Sequence, residues 1–237
     1  MVVHFAPRRA LRAARTLAAD PDDLPQVFTI IESLSGDTLE RITRGFRKTD
    51  TGRRLLAEQP DIVDRLADRA ALAKLPEGSL GRAYLAFVER ENISAEGIRA
   101  AGAKGMTSVD SLPPPYDFIH RRMRDTHDLW HAAVGYQGDV LGEVSLLAFT
   151  FAQTWNPAIA LILCVGLWKT IGNPEARRVM ADGFRRGRKA AWLPSQDWES
   201  MLALPLLEVR RRLGLEDAPV YAQIRSSDLK AQQSVAA

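Results

Sequence analysis

The sequence RDTHDLWHAAVGYQGDVLGEVSLLAF, residues 124–149, decides the predicted fold. Its first half contains no helix-breaking residue between His127 and Val134, and the segment GYQGD, 135–139, is typical of a tight turn. Apolar residues resume at Val140. The pattern predicts an αα-hairpin, in which two antiparallel helices lie roughly 8–10 Å apart.

Two histidines and a glutamate of this hairpin form a candidate metal site. His127 and His131 are four residues apart, which places their side chains about 40° apart around a helix axis. His131 lies about one turn before the turn segment and Glu143 about one turn after it, so antiparallel packing brings them level. Imidazole and carboxylate groups are common ligands of divalent transition metals. Asp128 adds a second carboxylate, which either binds the metal or orients a histidine.

The apolar residues around Glu143 predict that its carboxylate is buried. Val140, Leu146 and Leu147 share its helical stripe. A buried carboxylate costs several kcal/mol unless a cation or a proton compensates for it, and a bound metal would supply the cation. The alternative is a histidine pair without a metal, either on the surface or hydrogen-bonded within the core.

The motif departs from several well-known metal motifs. Zinc peptidases carry H-E-x-x-H, where the longer glutamate reaches a metal-bound water; here Asp128 takes that place. HD-type phosphohydrolases need an earlier histidine ligand, and His120 is too near in sequence to serve as one. Di-iron bundles use paired E-x-x-H elements, which this motif lacks.

Composition indicates a globular protein rather than a nucleic-acid-binding one. The chain has 237 residues and a net charge of +3, with 26 arginines and 6 lysines spread along it. Nucleic-acid binding would require a larger excess of positive charge with aromatic residues among the basic ones. We therefore expect most arginines to lie on solvated helix faces, where they could also favour anionic lipid. The single Cys164 excludes an intramolecular disulfide, and we expect it to be a small core residue.

The helical periodicity of 3.6 residues extends over nearly the whole chain. Beside the hairpin, the sequence predicts a loop over 102–115 and helices over 7–19, 24–34, 37–48, 50–58, 61–75, 80–92, 157–170, 174–191 and 202–213. We find no alternating strand pattern. The prediction is an all-α protein with a single multi-helix domain, 1–225, and a disordered polar tail, 226–237.

Two segments bear on membranes and targeting. The longest apolar run, 158–168, is shorter than the roughly 18–20 residues needed to span a bilayer, so it predicts a buried or interfacial helix. The segment 4–19 is rich in arginine and free of acids, and it is similar to a mitochondrial transit peptide. Because the helical pattern continues past Asp20, we favour the first helix of the domain.

At this point the sequence resembles a known family, the Coq-four proteins of coenzyme Q (ubiquinone) biosynthesis. The motif that carries the resemblance is His127-Asp128-x-x-His131, eleven residues and then Glu143. Further segments are similar to the same family over about residues 6–216: DPDD at 20–23, QVF at 26–28, GSLGRAY at 78–84, DWE at 197–199, PL at 205–206 and VR at 209–210.

The resemblance implies an all-α fold and a divalent metal, Fe, Zn, Mn or Co, held by His127, Asp128, His131 and Glu143. It also implies oxidative decarboxylation, in which hydroxyl replaces the ring carboxyl of a polyprenyl 4-hydroxybenzoate-type precursor. Two histidines and a carboxylate with open positions form the ligand set of mononuclear iron oxygenases, whereas zinc would act only as a Lewis acid. The alternative is a non-catalytic lipid-binding scaffold that organises the other enzymes of ubiquinone biosynthesis.

Additional residues are candidates for binding the substrate. Arg82, in an apolar helix, is the best candidate for a catalytic clamp on the substrate carboxylate, and Arg121 and Arg124 flank the motif. Tyr84 could line a ring-binding pocket, although packing in the core is the alternative for it, as it is for Trp130 and Tyr136. For each arginine, the alternative is a structural or surface ion pair.

The expected partners are a polyprenylated aromatic lipid, a membrane surface and other ubiquinone-biosynthesis proteins, with no nucleic acid. The sequence leaves homodimerisation open. We expect a bacterial cytoplasmic protein that is peripheral on the inner membrane. The alternative location is the matrix side of the mitochondrial inner membrane.

Overall fold

In the computed structural model, residues 5–105 and 112–227 are described, and they are helical with no β-strand among them. The helices are α1 Pro7–Ala19, α2 Leu24–Ser33, α3 Thr38–Phe46, α4 Asp50–Glu58, α5 Val63–Leu66, α6 Arg69–Ala73, α7 Leu80–Arg90, α8 Ala95–Gly105, α9 Tyr116–Asp125, α10 His127–Val134, α11 Val140–Thr154, α12 Pro157–Lys169, α13 Pro174–Lys189, α14 Trp198–Met201 and α15 Leu206–Leu213. The predicted all-α, single-domain architecture is confirmed. The predicted tail lies outside the described residues from position 228 onwards.

The turn between α10 and α11 is fixed by its two ends. Gly135 ends α10 in the left-handed region, with φ +99°, and its amide donates to the carbonyl of His131 at 2.8 Å. A Cβ at this position would lie 2.5 Å from Ala218 Cβ, so only glycine fits there. Asp139 begins α11, and its carboxylate accepts the amide of Leu141 at 3.2 Å. The predicted order of a helix, a tight turn and a second helix is therefore observed.

Several predicted boundaries are wrong. The segment predicted as one helix over 61–75 is two helices, since the Asp68 carboxylate accepts the amide of Ala71 and starts α6. The last predicted helix begins at Leu206, after Pro205, instead of at 202. Helix α8 spans Ala95–Gly105, so the predicted loop over 102–115 is wrong for residues 102–105.

The main core surrounds α7, α10, α11 and α13. Its largest buried side chains include Trp130, Tyr84 and Tyr136, so the packing interpretation of these three residues is confirmed. Helices α11 and α13 approach closely through two glycines. A Cβ at Gly183 would lie 2.3 Å from Ser145 O, and one at Gly187 would lie 2.4 Å from Phe149 O. This tight contact fixes α11, the helix that carries Glu143.

A smaller second core joins α1, α2 and α12. In α1, Ala10, Ala13, Ala14 and Leu17 are buried, so the prediction that residues 7–19 form the first helix of the domain is confirmed. Cys164, on α12, is exposed, so the prediction that it packs in the core is wrong. No helix among the described residues is both long and apolar enough to cross a bilayer.

Most of the described arginines are exposed, as expected, and Arg122 and Arg186 are the exceptions that are buried. Arg122 pairs with both carboxylate oxygens of Glu199 at 2.8 Å and thereby joins α9 to α14. Arg186 donates to the carbonyls of Val134 and Asp217, at 2.8 and 2.7 Å.

A second arginine reaches the same end of α10. Arg210 donates from Nε to the carbonyl of Ala133 at 2.8 Å. Arg186 and Arg210 thus place two cations at the C-terminus of the helix that carries both histidines. Cations at this end satisfy carbonyl groups and complement the helix dipole.

Candidate metal centre

Helices α10 and α11 bring three ligand atoms together, one each from His127, His131 and Glu143, all within 4.8 Å of one another. His131 Nε2 is 3.2 Å from Glu143 Oε1, and His127 Nε2 is 3.7 Å from Glu143 Oε2. Two ligands of one metal are usually about 3–4 Å apart when each metal–ligand bond is about 2 Å. These separations suit a shared divalent ion.

The other nitrogen of each ring has a partner that sets its orientation. His131 Nδ1 is 3.0 Å from the carbonyl oxygen of Tyr136. A carbonyl can only accept, so Nδ1 carries a proton, and Nε2 is the atom available to a metal when the ring is neutral. His127 Nδ1 is 3.2 Å from Asp128 Oδ1. The structure thus places Asp128 beside His127, outside the three-ligand group, in the orienting position that the sequence left open.

His131 Nε2 provides a test of whether the site fits a metal. This atom is buried and makes no regular hydrogen bond among the described residues, and its nearest charged neighbour is Glu143 Oε1 at 3.2 Å. The ring is stacked on Phe87, with 4.9 Å between the ring centroids. A buried polar atom without a partner costs about 1–3 kcal/mol. A metal ion would satisfy it, so the donor set fits a divalent cation.

The electrostatics of the cluster favour an ionised glutamate. Burial raises the pKa of Glu143, but His131 and His127 together outweigh burial and lower this pKa to about 2. Burial lowers the pKa of His127, yet Asp128 and Glu143 outweigh it, and the net pKa is raised. The site therefore holds a negative charge that calls for positive charge nearby, from a proton or from a metal.

A cavity of about 1470 Å³ adjoins the cluster, and its wall includes His127, Asp128 and Glu143. The Glu143 side chain is 42% accessible, so the prediction that its carboxylate is buried is wrong, because the side chain opens onto this cavity. The apolar part of its wall includes eight residues of α2, α11 and α12, namely Val27, Phe28, Ile31, Val144, Leu147, Ile159, Ile162 and Val165. Cavities for drug-sized ligands measure about 300–1,000 Å³, so this one has room for a longer apolar molecule.

Two of the predicted substrate residues lie away from the cavity. Arg82 is exposed on α7 and donates to the carbonyl of Ala73 at 2.8 Å, outside the cavity wall. Position 82 falls on the outward face of α7, opposite the face that packs on α10. Tyr84 is 1% exposed in the main core, where burial raises the pKa of its hydroxyl. The structure does not bring either residue to the ligand cluster.

The two arginines that flank the motif point in different directions. Arg121 is exposed and pairs with Asp117 at 2.9 Å, which is the surface ion pair given as its alternative. Arg124 lines the cavity, and its Nε donates to Asp125 Oδ1 at 2.7 Å. Of the predicted substrate residues, Arg124 is therefore the one that the structure places at the cavity.

Sequence reasoning missed His120, which also lines the cavity. It is 9% exposed, and its Nδ1 is enclosed without a hydrogen-bond partner among the described residues. Burial, together with the nearby Arg124, lowers its pKa to about 4. A signal was present, since His120 is seven residues before His127 and so falls on the same helical stripe.

A second missed feature ties the C-terminal segment to the turn of the hairpin. The Tyr221 hydroxyl donates to Asp139 Oδ1 at 2.8 Å, and the amide of Ile224 donates to Oδ2 at 2.9 Å. The amide of Gln137 donates in turn to the Tyr221 oxygen at 3.0 Å. These partners are more than 80 residues apart in sequence, so no local pattern predicts them.

Fold and site together define an all-helical protein whose candidate metal ligands face a large apolar cavity. The model of the family described as "Coenzyme Q (ubiquinone) biosynthesis protein Coq4" matches residues 8–219. The chain therefore belongs to the Coq4 family, and the resemblance found in the sequence is confirmed.

Relatives in two fungi have similar sequences. The mitochondrial ubiquinone biosynthesis protein coq4 of Pyrenophora tritici-repentis is 31% identical over 187 residues, 77% of this chain and 62% of that protein. The mitochondrial protein of Yarrowia lipolytica with the same description is 30% identical over 188 residues, 77% of this chain and 68% of that protein. The chain thus spans somewhat under two thirds of the Pyrenophora protein.

One solved structure shows the same fold. A protein of Nostoc punctiforme, a candidate ubiquinone biosynthesis protein, superposes with a TM-score of 0.64 at 23% identity. The match covers 90% of this chain and 100% of that chain. At this identity the likeness supports the helical architecture alone.

Proposed function

We propose that the protein is a metal-dependent oxidative decarboxylase of ubiquinone biosynthesis, a carbon–carbon lyase that replaces the ring carboxyl of a polyprenyl 4-hydroxybenzoate-type precursor by hydroxyl. The observation that carries the proposal is the convergence of His127, His131 and Glu143 at the wall of a large apolar cavity. Membership of the Coq4 family supports the pathway, and the cavity supports a lipid substrate.

The proposed reaction balances with dioxygen as the electron acceptor. The bond between ring carbon C1 and the carboxyl carbon breaks, and the carboxyl group leaves as carbon dioxide. A new bond forms between C1 and an oxygen from water, the ring gives up two electrons, and dioxygen takes them up to become hydrogen peroxide. The chain has no Gly-x-Gly-x-x-Gly dinucleotide loop, and its lone cysteine cannot form an internal redox disulfide.

The residues of the cluster have distinct roles in this proposal. His127, His131 and Glu143 hold the divalent ion, while Asp128 and the Tyr136 carbonyl fix the two rings. When bound, the ion supplies Lewis acidity and, if it is redox-active, a route for electrons. The ionised Glu143 contributes the charge that makes the site selective for a cation.

The lipid tail of the substrate accounts for the cavity and for a membrane partner. Each buried CH₂ group stabilises the tail in an apolar environment by about 0.8 kcal/mol, so the protein must meet its substrate at a bilayer. The outer side of α12 and the residues after it expose Leu167, Trp168 and Ile171, at 41, 62 and 64%. Exposed arginines of the adjacent α1 add positive charge for anionic lipid.

The proposal places this surface on the cytoplasmic side of a bacterial inner membrane, with the mitochondrial matrix side as the alternative. Other ubiquinone-biosynthesis proteins are proposed partners, and homodimerisation stays open. A non-catalytic scaffold would share the cavity and the membrane surface, but it would show no turnover. The experiment below therefore separates the two functions.

The test is turnover by purified, metal-loaded protein on a short-chain prenyl 4-hydroxybenzoate. Carbon dioxide and hydroquinone are measured with and without dioxygen, for the wild type and Glu143→Gln. We expect oxygen-dependent turnover in the wild type and a loss of at least a hundredfold in Glu143→Gln, which keeps the side-chain shape but removes the charge. Glu89→Gln, an exposed position on α7, is the matched control and should retain activity.

Two results would overturn parts of this proposal. Full activity under strict anaerobiosis without an added acceptor would eliminate dioxygen as the oxidant. Stoichiometric metal with no turnover on any prenyl 4-hydroxybenzoate would leave the scaffold function, with a structural metal, as the better account.

A further inference from the structure

We propose that His120 is a positioning residue for the substrate, whose Nε2–H donates a hydrogen bond to the ring oxygen opposite the carboxyl group. This inference rests on the proposed function, since it takes a para-substituted hydroxybenzoate as the ligand. It adds a second polar contact for the ring, in the cavity that the ligand cluster adjoins.

The helical register places His120 on the same side as His127. Only Thr126 separates α9 from α10, and its backbone stays in the right-handed helical region, with φ −89° and ψ −3°. Seven residues amount to almost two full turns, so the two histidines differ by about 20° in direction and about 10 Å in height. Both line the same cavity.

The spacing suits an aromatic ring with para substituents. In such a ring the carboxyl and the hydroxyl groups point in opposite directions along one axis. A ring whose carboxyl lies at the His127–Glu143 end therefore directs its hydroxyl oxygen along the cavity, toward the level of His120. Met123, between the two histidines on the same stripe, also lines the cavity and offers an apolar contact to the ring.

The surroundings of His120 determine what it can donate. An enclosed N–H group without a partner is rarer in proteins than an enclosed lone pair, so the proton belongs on Nε2 and Nδ1 keeps the lone pair. Burial lowers the pKa of this imidazole to about 4, and Arg124 and Arg121 oppose its protonation while Asp125 and Glu32 favour it. The ring is thus neutral at physiological pH and offers one N–H donor.

The experiment compares two ligands that differ only in the para hydroxyl: 3-prenyl-4-hydroxybenzoate and 3-prenylbenzoate. Their dissociation constants are measured by calorimetry on anaerobic, metal-loaded wild type, His120→Phe, His120→Gln and Met123→Leu. We expect the wild type to prefer the hydroxylated ligand about tenfold and His120→Phe to lose this preference. His120→Gln retains an N–H donor and should keep most of it. Met123→Leu alters only the apolar wall and should keep the tenfold ratio.

The outcomes separate this inference from the proposed function. If His120→Phe binds both ligands and keeps the tenfold preference, the role of His120 is overturned while the substrate class stands. If the wild type binds neither ligand, the substrate class itself fails and the inference fails with it.

A measurement on the wild type covers the case in which His120→Phe does not fold. In zinc-loaded protein labelled with ¹⁵N-histidine, the Nε2–H proton of His120 should move downfield with 3-prenyl-4-hydroxybenzoate and not with 3-prenylbenzoate. The chain has four histidines, so the assignment is tractable through His120→Gln. Equal responses to both ligands would refute the contact.

Discussion

The helices that hold the metal ligands and the helices that form the outer wall of the cavity are built in contrasting ways. Helices α7, α10, α11 and α13 pack around the largest buried side chains, with glycines at close approaches and buried arginines on helix carbonyls. Helices α1, α2 and α12 share a small core of aliphatic side chains, and the outer side of α12 exposes apolar residues. The ligands thus lie on the densely packed part.

This difference indicates a division of tasks within one domain. A metal site needs its ligands held to within about 0.5 Å, which only a well-packed scaffold provides. A cavity that accepts a long tail from a bilayer needs an apolar wall close to the lipid. Helix α12 has an apolar side on the cavity and an exposed aromatic residue on its outer side. Ile159, Ile162 and Val165 line the cavity, while Trp168 is exposed.

The largest expected effect is the loss of metal when a ligand on the packed part is removed. His131→Ala should abolish stoichiometric metal binding and turnover, because it removes Nε2, a buried ligand atom that makes no regular hydrogen bond among the described residues. Helical content by circular dichroism should be largely retained. Metal analysis of protein purified without chelator is the measurement, and His120→Gln, outside the ligand group, should keep one equivalent of metal. Unchanged metal content in His131→Ala would remove this residue from the site.

The packed part is also where sequence reasoning succeeded best. The i, i+4 spacing of His127 and His131, the turn at Gly135 and the return to Glu143 are local patterns, and the structure brings these three side chains together as expected. Local spacing settles which side of a helix a residue occupies. The grouping of these three side chains could therefore be predicted from the sequence, whereas the place of Asp128 beside His127 could not.

What sequence reasoning could not supply depends on contacts between distant segments. Arg82 lies in an apolar helix, yet tertiary packing turns it outward to the carbonyl of Ala73. The hydrogen bond from Tyr221 to Asp139 joins segments 82 residues apart. Arg186 is buried because it reaches the end of α10 from α13, which its polar sequence neighbours do not indicate. Which of these distant residues come into contact depends on the whole fold.

A second prediction tests whether the packed part depends on its buried arginine. Arg186→Leu leaves the carbonyls of Val134 and Asp217 without their donor, which should lower the free energy of unfolding by about 3 kcal/mol. Urea unfolding followed by circular dichroism gives the value. Arg177→Leu, at an exposed position of the same helix, is the matched control and should change stability by less than about 0.5 kcal/mol. Equal effects of the two substitutions would show that the end of α10 does not need Arg186.

The smallest expected effect concerns the outer wall, where the exposed apolar side chains are not needed for folding. Trp168→Ser combined with Ile171→Ser removes two of the most exposed apolar groups near the cavity wall. Burying such a side chain in lipid is worth about 1.5–3 kcal/mol, and partial insertion should still reduce binding to vesicles of anionic lipid roughly tenfold at low salt. Flotation of the protein with these vesicles is the measurement.

The matched control for this surface is Leu207→Ser, since Leu207 is 71% exposed but lies on α15, away from the outer wall. It should float as the wild type does, and all three proteins should unfold at the same urea concentration. If the double variant floats normally, the membrane contacts the protein elsewhere, and the apolar outer side of α12 requires a protein partner instead. If the wild type itself does not float, surface binding is refuted. The metal content of the double variant should stay at one equivalent, because the ligands belong to the other, densely packed part of the domain.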